Sequence, residues 1–204
     1  MKPALKLALL FVFLSCAPAH AERQSILVLG DSISAAYGMS VQQGWVALLA
    51  RRLEHDHPDV DVINASISGE TTVGGLRRLP GLLAQHKPDI VLLELGANDG
   101  LRGYPIDSLR KNLQKLVELS QRSGAELVMV QMEIPPNYGR RYTQAFHDSY
   151  TLISDNTTSI LTPFILEGVA GNPSLIQADG LHPTVDAQPR LMANLLPTII
   201  TLLN

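Results

Sequence analysis

The sequence predicts a three-layer α/β/α sandwich built on a five-stranded parallel sheet. Five strand-like segments alternate with segments of helical periodicity along the chain, which favours a β-α-β architecture. Some strand segments are continuous apolar runs, such as Ile26-Leu27-Val28-Leu29 and Ile90-Val91-Leu92-Leu93, as is typical of parallel strands covered by helices on both faces. A length of 204 residues with 46 % hydrophobic residues suits one domain with a full core.

The predicted elements follow one another from the first strand to the end of the chain. Strand segments are short and apolar, whereas helical segments repeat their apolar residues with a period of about 3.6. Strands are predicted at residues 25–29, 60–65, 90–95, 127–132 and 160–165. Helices are predicted at residues 44–55, 72–85, 106–122, 142–155 and 187–203. Two irregular stretches that contain Gly and Pro, residues 133–141 and 167–183, are predicted as loops of the functional site.

Residues 1–21 predict a cleaved secretion signal. Lys2 and Lys6 precede an apolar run at residues 7–14, and Ala19-His20-Ala21 has the small-x-small pattern that signal peptidase requires. The mature protein would then be one domain, residues 22–204, that is exported to the periplasm or secreted.

A membrane anchor is the weaker interpretation of the same segment. Its apolar run is about half of the roughly 20 residues that a helix needs to cross the hydrocarbon core, so no stable membrane insertion is expected. Cys16 is the only cysteine and ends Phe13-Leu14-Ser15-Cys16, which faintly resembles a lipoprotein cleavage motif. Lipid attachment at Cys16 therefore stays open as an alternative.

The charge of the chain argues against a polyanionic partner. The formal net charge is −3, and removal of the signal takes away two lysines and makes it −5. Affinity for nucleic acid comes from clustered Lys and Arg, so no nucleic-acid partner is expected. His55 and His57 end a predicted helix without further ligands nearby, and the first loop has no Gly-rich phosphate cradle. No metal and no other cofactor is expected.

A serine follows the first predicted strand, in the segment Gly30-Asp31-Ser32. Open α/β sheets bind their ligands beyond the carboxyl ends of the strands, so Ser32 is well placed to act as a nucleophile. An ordinary turn is the alternative interpretation, because Gly, Asp and Ser are common turn residues. The neighbouring Asp31 is expected to brace the loop.

An aspartate and a histidine lie close together near the other end of the chain, in Asp179-Gly180-Leu181-His182. A carboxylate three residues before a histidine can hold the imidazole Nδ1–H while Nε2 faces a hydroxyl. His182 is therefore the predicted base for Ser32, and Asp179 is the acid that orients it. A solvent-exposed loop histidine is the alternative.

Two further loops carry predicted oxyanion donors. Gly69 follows the second strand, and a residue without Cβ lets its backbone N–H approach a substrate oxygen closely. Asn98 follows the third strand, and its side-chain amide donates hydrogen bonds without any change of protonation state. Each residue alone is also explained by a turn or a helix cap. We nevertheless expect the loops to converge, because their strands end at the same edge of one sheet.

The same residues resemble the four sequence blocks of the SGNH (GDSL-type) hydrolases. Ser32, Gly69, Asn98 and His182 lie in segments GDS, SGE, GAND and DGLHP that match these blocks along essentially the whole mature chain. Additional segments, among them Asn137-Tyr138-Gly139-Arg140-Arg141-Tyr142, are similar to the periplasmic thioesterase I/lysophospholipase/arylesterase branch. The resemblance implies a flavodoxin-like sheet and a serine esterase that forms an acyl-enzyme on Ser32.

The implied substrates are small-molecule carboxylic esters, thioesters and lysophospholipids, and the protein is expected to act as a monomer. Leu76, Leu79 and the loop around Leu101 are expected to meet the acyl chain. Ala97 stands where the branch commonly has a glycine, and its methyl group could narrow the acyl site. Two alternatives stay open: a carbohydrate O-acetylesterase with a polar pocket, and an inactive lipid- or sugar-binding module that keeps the fold.

Overall fold

Five parallel strands form one sheet in the computed structural model of the protein, which describes residues 23–203. The predicted signal segment and Cys16 lie outside the described residues. The strands are β1 (Gln24–Gly30), β2 (Val60–Asn64), β3 (Ile90–Glu94), β4 (Glu126–Gln131) and β5 (Ile160–Phe164). Their order across the sheet is β2-β1-β3-β4-β5, and every neighbouring pair is parallel. The predicted five-stranded parallel sheet is thus confirmed.

Helices cover both faces of this sheet. They are α1 (Trp45–Asp56), α2 (Thr72–His86), α3 (Ala97–Leu101), α4 (Ile106–Arg122), α5 (Arg140–Asp155) and α6 (Gln188–Ile200). α1 packs against α6, while α4 packs against both α2 and α5, which gives two helical layers. The predicted helices and strands agree with the structure to within one or two residues at their ends, except that the last helix ends earlier, at Ile200. The short α3 was not predicted.

The core lies between the sheet and these two layers. The central strands β1 and β3 are buried along their apolar runs, as expected for parallel strands that are covered on both faces. The long α4 presents one apolar stripe to the sheet at helical spacing. Its buried side chains include Leu109, Leu113, Leu116 and Val117. Burial of such stripes is the main force that holds the layers together.

The strand order changes direction between β1 and β3, and this point fixes where the site forms. β2 follows β1 in sequence but lies on its outer side, while β3 pairs with its other side. Gly30, the last residue of β1, is aligned with Glu94, the last residue of β3. Open sheets bind ligands in the crevice at such a switch point. Within residues 23–203, no helix is long and apolar enough to span a membrane.

Candidate active site

His182 lies between Ser32 and Asp179 in one chain of hydrogen-bonding contacts. Its Nε2 is 2.9 Å from Ser32 Oγ, and its Nδ1 is 2.6 Å from Asp179 Oδ2. Ser32 and His182 are 150 positions apart in the sequence, so the fold alone brings them together. A hydroxyl, an imidazole and a carboxylate in this order form the arrangement in which a histidine can take the serine proton and a carboxylate can hold the histidine.

Asp179 is fixed by the backbone of its own loop. Its Oδ1 accepts hydrogen bonds from the N–H groups of Leu181, at 2.9 Å, and His182, at 3.0 Å. These backbone hydrogen bonds, together with the contact to His182, lower the pKa of Asp179 from 3.8 to about 2. The group is therefore a carboxylate at neutral pH, although its side chain is 38 % exposed.

Ser32 lies in a tight turn that begins directly after β1. The Asp31 carbonyl accepts from the N–H of Ala35, and the Asp31 carboxylate accepts from the N–H of Ile33 at 3.0 Å. Asp31 thus braces the loop, as predicted. The backbone N–H of Ser32 donates to no acceptor within residues 23–203, so it is free to bind an oxygen of a substrate.

Asn98 is presented beside this turn by the short helix α3. Gly96 precedes the helix as its N-cap and has a φ of 117°; a Cβ there would overlap the hydroxyl of Tyr150, so a side chain would be both strained and blocked. Asn98 Nδ2 donates to Asp31 Oδ2 at 3.1 Å. An amide nitrogen carries two N–H groups, so a second donor is left for a substrate oxygen.

Gly69 lies in the loop that follows β2, at the same edge of the sheet. The N–H of Ile67 donates to the Gly30 carbonyl at 3.1 Å and attaches this loop to the end of β1. Gly69 has a φ of 78°, and its carbonyl accepts from Arg102 at 3.0 Å. Its own N–H has no acceptor in the described part of the chain. The structure therefore leaves a free donor here, although Gly69 does not line the cavity described below.

A buried pair of carboxyl groups supports the turn that carries Ser32. Glu94 is fully buried, and its Oε2 accepts from the Asp31 N–H at 3.1 Å and from the Ser34 hydroxyl at 2.6 Å. Burial raises the pKa of Asp31 from 3.8 to about 6. Burial and the nearby Asp31 charge raise the pKa of Glu94 well above its usual 4.5. The folded protein therefore holds protons on this pair at a pH at which the unfolded chain has released them.

Replacement of Glu94 by glutamine is expected to reduce the loss of stability at higher pH. As the pH rises from about 4 through 6, the two carboxyl groups lose their protons in the unfolded chain before they lose them in the folded protein. The free energy of unfolding therefore falls. Glutamine keeps an acceptor for Ser34 and has no proton to lose. The free energy of unfolding of the variant should therefore fall less between pH 4 and pH 8 than that of the wild type. Urea unfolding at both pH values measures this difference.

The exposed Glu126 provides the matched control for this experiment. It begins β4, far from the pair in sequence, and a Glu126→Gln variant should follow the pH dependence of the wild type. Equal pH dependence in the wild type and in Glu94→Gln would mean that Glu94 is not protonated in the folded protein.

A largely apolar cavity of about 420 Å³ opens beside Ser32 and His182. This volume lies within the roughly 300–1,000 Å³ typical of small-molecule sites. Ser32, Asn98 and His182 line the cavity with Ala97. Its apolar wall is formed by Leu101, Met132, Ile134, Pro135, Pro136, Phe164, Leu166, Ile176 and Leu181. Both irregular stretches predicted as functional loops contribute to this wall.

The prediction that Leu76 and Leu79 meet an acyl chain is wrong. Leu79 is fully buried in the core, and Leu76 packs against that core from α2, while neither lines the cavity. Only Leu101 of the three lies in the cavity wall. The helical period of α2 was read correctly, but its apolar face is turned to the sheet.

Sequence reasoning missed Glu94 and most of the cavity wall. A charged residue at the end of an otherwise apolar strand was a signal for Glu94, since buried carboxyl groups are rare away from functional sites. No local signal marks Met132, Phe164 or Ile176, because their place in the wall depends on how distant loops pack.

Known proteins share most of this sequence and this fold. Esterase TesA of Pseudomonas aeruginosa is 49 % identical over 184 residues, which cover 90 % of this chain and 92 % of that protein. Thioesterase 1/protease 1/lysophospholipase L1 of Escherichia coli K12 is 43 % identical over 169 residues, which cover 83 % of this chain and 80 % of that protein. A solved crystal structure of TesA superimposes with a TM-score of 0.86 at 49 % identity and covers 88 % of this chain and all of that one.

The family comparison reaches the same result by a different route. The model of the GDSL-like lipase/acylhydrolase family matches residues 28–188, which include the turn that carries Ser32, the loops after β2 and β3, and the loop that carries Asp179 and His182. Together with the identity to relatives over most of the chain, this match shows that the protein belongs to the GDSL-like lipase/acylhydrolase family.

Proposed function

We propose that the protein is an exported serine ester hydrolase that cleaves carboxylic esters, thioesters and lysophospholipids through an acyl-enzyme on Ser32. The observation that carries this proposal is the contact chain from Asp179 through His182 to Ser32 at the mouth of an apolar cavity. The cavity suits an acyl chain, while the three polar side chains suit the carbonyl that ends it.

The reaction would proceed in two halves. In the first, His182 Nε2 takes the proton of Ser32 Oγ, the oxygen attacks the acyl carbonyl, and the alcohol or thiol leaves with the proton that His182 returns. In the second, His182 takes a proton from water, the hydroxide attacks the acyl-enzyme, and Ser32 recovers its proton as the acid leaves. Asp179 would orient His182 and stabilise its cationic form.

The free donors around the nucleophile would stabilise the oxyanion. The backbone N–H groups of Ser32 and Gly69 have no acceptor within residues 23–203, and Asn98 keeps one amide N–H after its bond to Asp31. Donors that wait at the position of a developing negative charge lower the barrier without reorganisation, by roughly 3 kcal/mol each.

Replacement of Asn98 by alanine tests this role. The variant should lose about 10²–10³ in kcat, because the donor acts on charge that develops only in the transition state. The KM should stay near its wild-type value. Steady-state kinetics with a nitrophenyl ester give both constants. A higher KM with an unchanged kcat would instead indicate a ground-state contact and would contradict the oxyanion role.

The substrate class can be tested with the purified mature protein. The apolar wall favours medium-chain acyl groups over acetyl groups, and two relatives carry the names esterase and thioesterase 1/protease 1/lysophospholipase L1. Hydrolysis rates should rise from acetyl to medium-chain nitrophenyl esters, and acetylated sugar should be a poor substrate. A preference for acetylated sugar would support a carbohydrate O-acetylesterase instead.

A binding module that has lost activity is the second alternative, and a fluorophosphonate probe separates it from an enzyme. An activated serine reacts with such a probe, whereas a merely solvated serine does not. Labelling that maps to Ser32 by peptide mass spectrometry is expected. An unlabelled, folded protein would contradict the proposal.

Export and the monomeric state complete the proposal. Export is supported by the sequence pattern of residues 1–21, and N-terminal sequencing of the secreted protein should begin at Glu22. A monomer would be sufficient for the reaction, because Ser32, Asp179 and His182 all come from one chain. Light scattering at assay concentration tests this state.

A further inference from the structure

The loop that carries His182 is attached to the body of the protein at few points. An isolated bridge between Ile176 and Pro183 closes its base, and the tip from 178 to 181 is exposed. In the described part of the chain, two side-chain hydrogen bonds join residues 177–183 to other parts of the protein. One is between His182 and Ser32, and the other runs from Gln177 Nε2 to the Tyr37 carbonyl at 2.9 Å.

Gln177 uses both of its amide N–H groups to join two loops. Besides the Tyr37 carbonyl, Gln177 Nε2 donates to the Pro183 carbonyl at 2.9 Å. Pro183 follows His182 directly, and Tyr37 lies five residues after the nucleophile. One side chain therefore links the backbone beside the proposed base to the turn of the proposed nucleophile.

Gly38 allows this close approach. It has a φ of 78°, and a Cβ at this position would overlap Gln177 Oε1. A residue with a side chain would be strained by the backbone angle and would also displace the glutamine. The local backbone is thus shaped to receive the Gln177 amide.

The ring of Tyr37 adds a second contact to the same histidine. The Tyr37 and His182 ring centroids are 4.3 Å apart with an interplanar angle of 35°. Tyr37 is 48 % exposed, so core packing does not explain its position. Contacts between aromatic rings have a preferred geometry, so this contact favours one orientation of the His182 ring.

We propose that Tyr37 and Gln177 are positioning residues that hold His182 at hydrogen-bonding distance from Ser32. This inference rests on the proposed function. Neither residue of this pair, called the bracket below, lines the cavity, so the pair would act only through the imidazole. A catalytic base must be held within a fraction of an ångström, and a misplacement of about 1 Å can cost about 10²-fold in rate.

Replacement of Gln177 tests the hydrogen-bonded half of the bracket. Gln177→Ala should lower kcat by about 10–100-fold with KM within about twofold, because the base is misplaced while the acyl cavity is kept. Gln177→Glu should lose at least as much, since a carboxylate of the same length would face two carbonyl oxygens. Gln85→Ala, at an exposed position of α2, is the matched control and should behave as the wild type. Wild-type kcat in both Gln177 variants, or a rise in KM that accounts for the loss, would overturn this role.

Replacement of Tyr37 tests the aromatic half of the bracket. This test remains valid even if the Gln177 variants fail to fold. Tyr37→Ala should lower kcat about tenfold, whereas Tyr37→Phe keeps the ring and should retain most of the activity. Circular dichroism and thermal unfolding show whether each variant is folded at the assay temperature. Equal activity of Tyr37→Ala and Tyr37→Phe, both folded, would overturn the aromatic contact.

The two proposals fail in distinguishable ways. If Ser32→Ala keeps full activity, the proposed function is wrong whatever the Gln177 variants do. If Ser32→Ala is inactive while Gln177→Ala, Gln177→Glu and Tyr37→Ala all match the wild type, only the bracket is wrong.

Discussion

Replacement of Ser32 by alanine should lower kcat by about 10⁵–10⁶-fold, because no oxygen remains to form the acyl-enzyme. Loss of one hydroxyl at a half-buried position of the turn after β1 leaves the bracing bonds of Asp31 in place. The melting temperature should therefore stay near the wild-type value. Steady-state hydrolysis of a medium-chain nitrophenyl ester and thermal unfolding measure the two quantities.

Ser68 offers a matched control for this experiment. It lies on an exposed loop at the same edge of the sheet, and Ser68→Ala should hydrolyse esters at the wild-type rate. A Ser32→Ala variant that still turns over ester, or that still reacts with a fluorophosphonate probe, would show that the nucleophile is elsewhere.

Replacement of Asp179 by asparagine is expected to cost about 10⁴-fold in kcat. Asparagine can still accept from the N–H groups of Leu181 and His182, so the loop should keep its shape. An amide facing Nδ1, however, favours the tautomer in which Nε2 carries the proton and cannot take another from Ser32. The cationic histidine also loses its counter-charge. Because the pKa of Asp179 is lowered to about 2, this contribution should be complete in the wild type above about pH 4.

Two further variants separate orientation from loop structure. Asp179→Ala removes the loop bonds as well as the carboxylate, so it should lose activity and also exchange its loop amides faster. Asp186→Asn changes an exposed acid a few residues away and should leave kcat unchanged. An active Asp179→Asn variant would mean that His182 is oriented by other groups.

The layers of the fold could be predicted because their signals are local and redundant. Continuous apolar runs gave β1 and β3, and a stripe of leucines gave α4 with the observed bounds. Helix α3 escaped because five residues with the composition of Ala97–Leu101 have no apolar period and include a glycine. It follows Gly96, whose φ of 117° and lack of room for a Cβ beside Tyr150 are not visible in the local sequence.

The candidate site was predictable in part for a related reason. Ser32 and Asn98 are polar residues that directly follow predicted strands, and His182 lies in a Gly-rich loop. Their positions in the sequence therefore predicted that their side chains lie close together. The contact between Tyr37 and His182 joins residues from opposite ends of the sequence, so no local sequence pattern predicts it. The error at Leu79 has the same origin, because periodicity reports that a helix face is apolar but not what it faces.

The 150-residue separation of Ser32 and His182 has a consequence for when activity appears during synthesis and folding. Gln24 at the start of β1 donates to the Leu202 carbonyl at 3.0 Å, so the two ends of the domain are also tied together. When a chain emerges from a ribosome or a translocon, Ser32 emerges long before His182. Ester cleavage would thus begin only once folding is complete, so the onset of hydrolysis would report when folding ends.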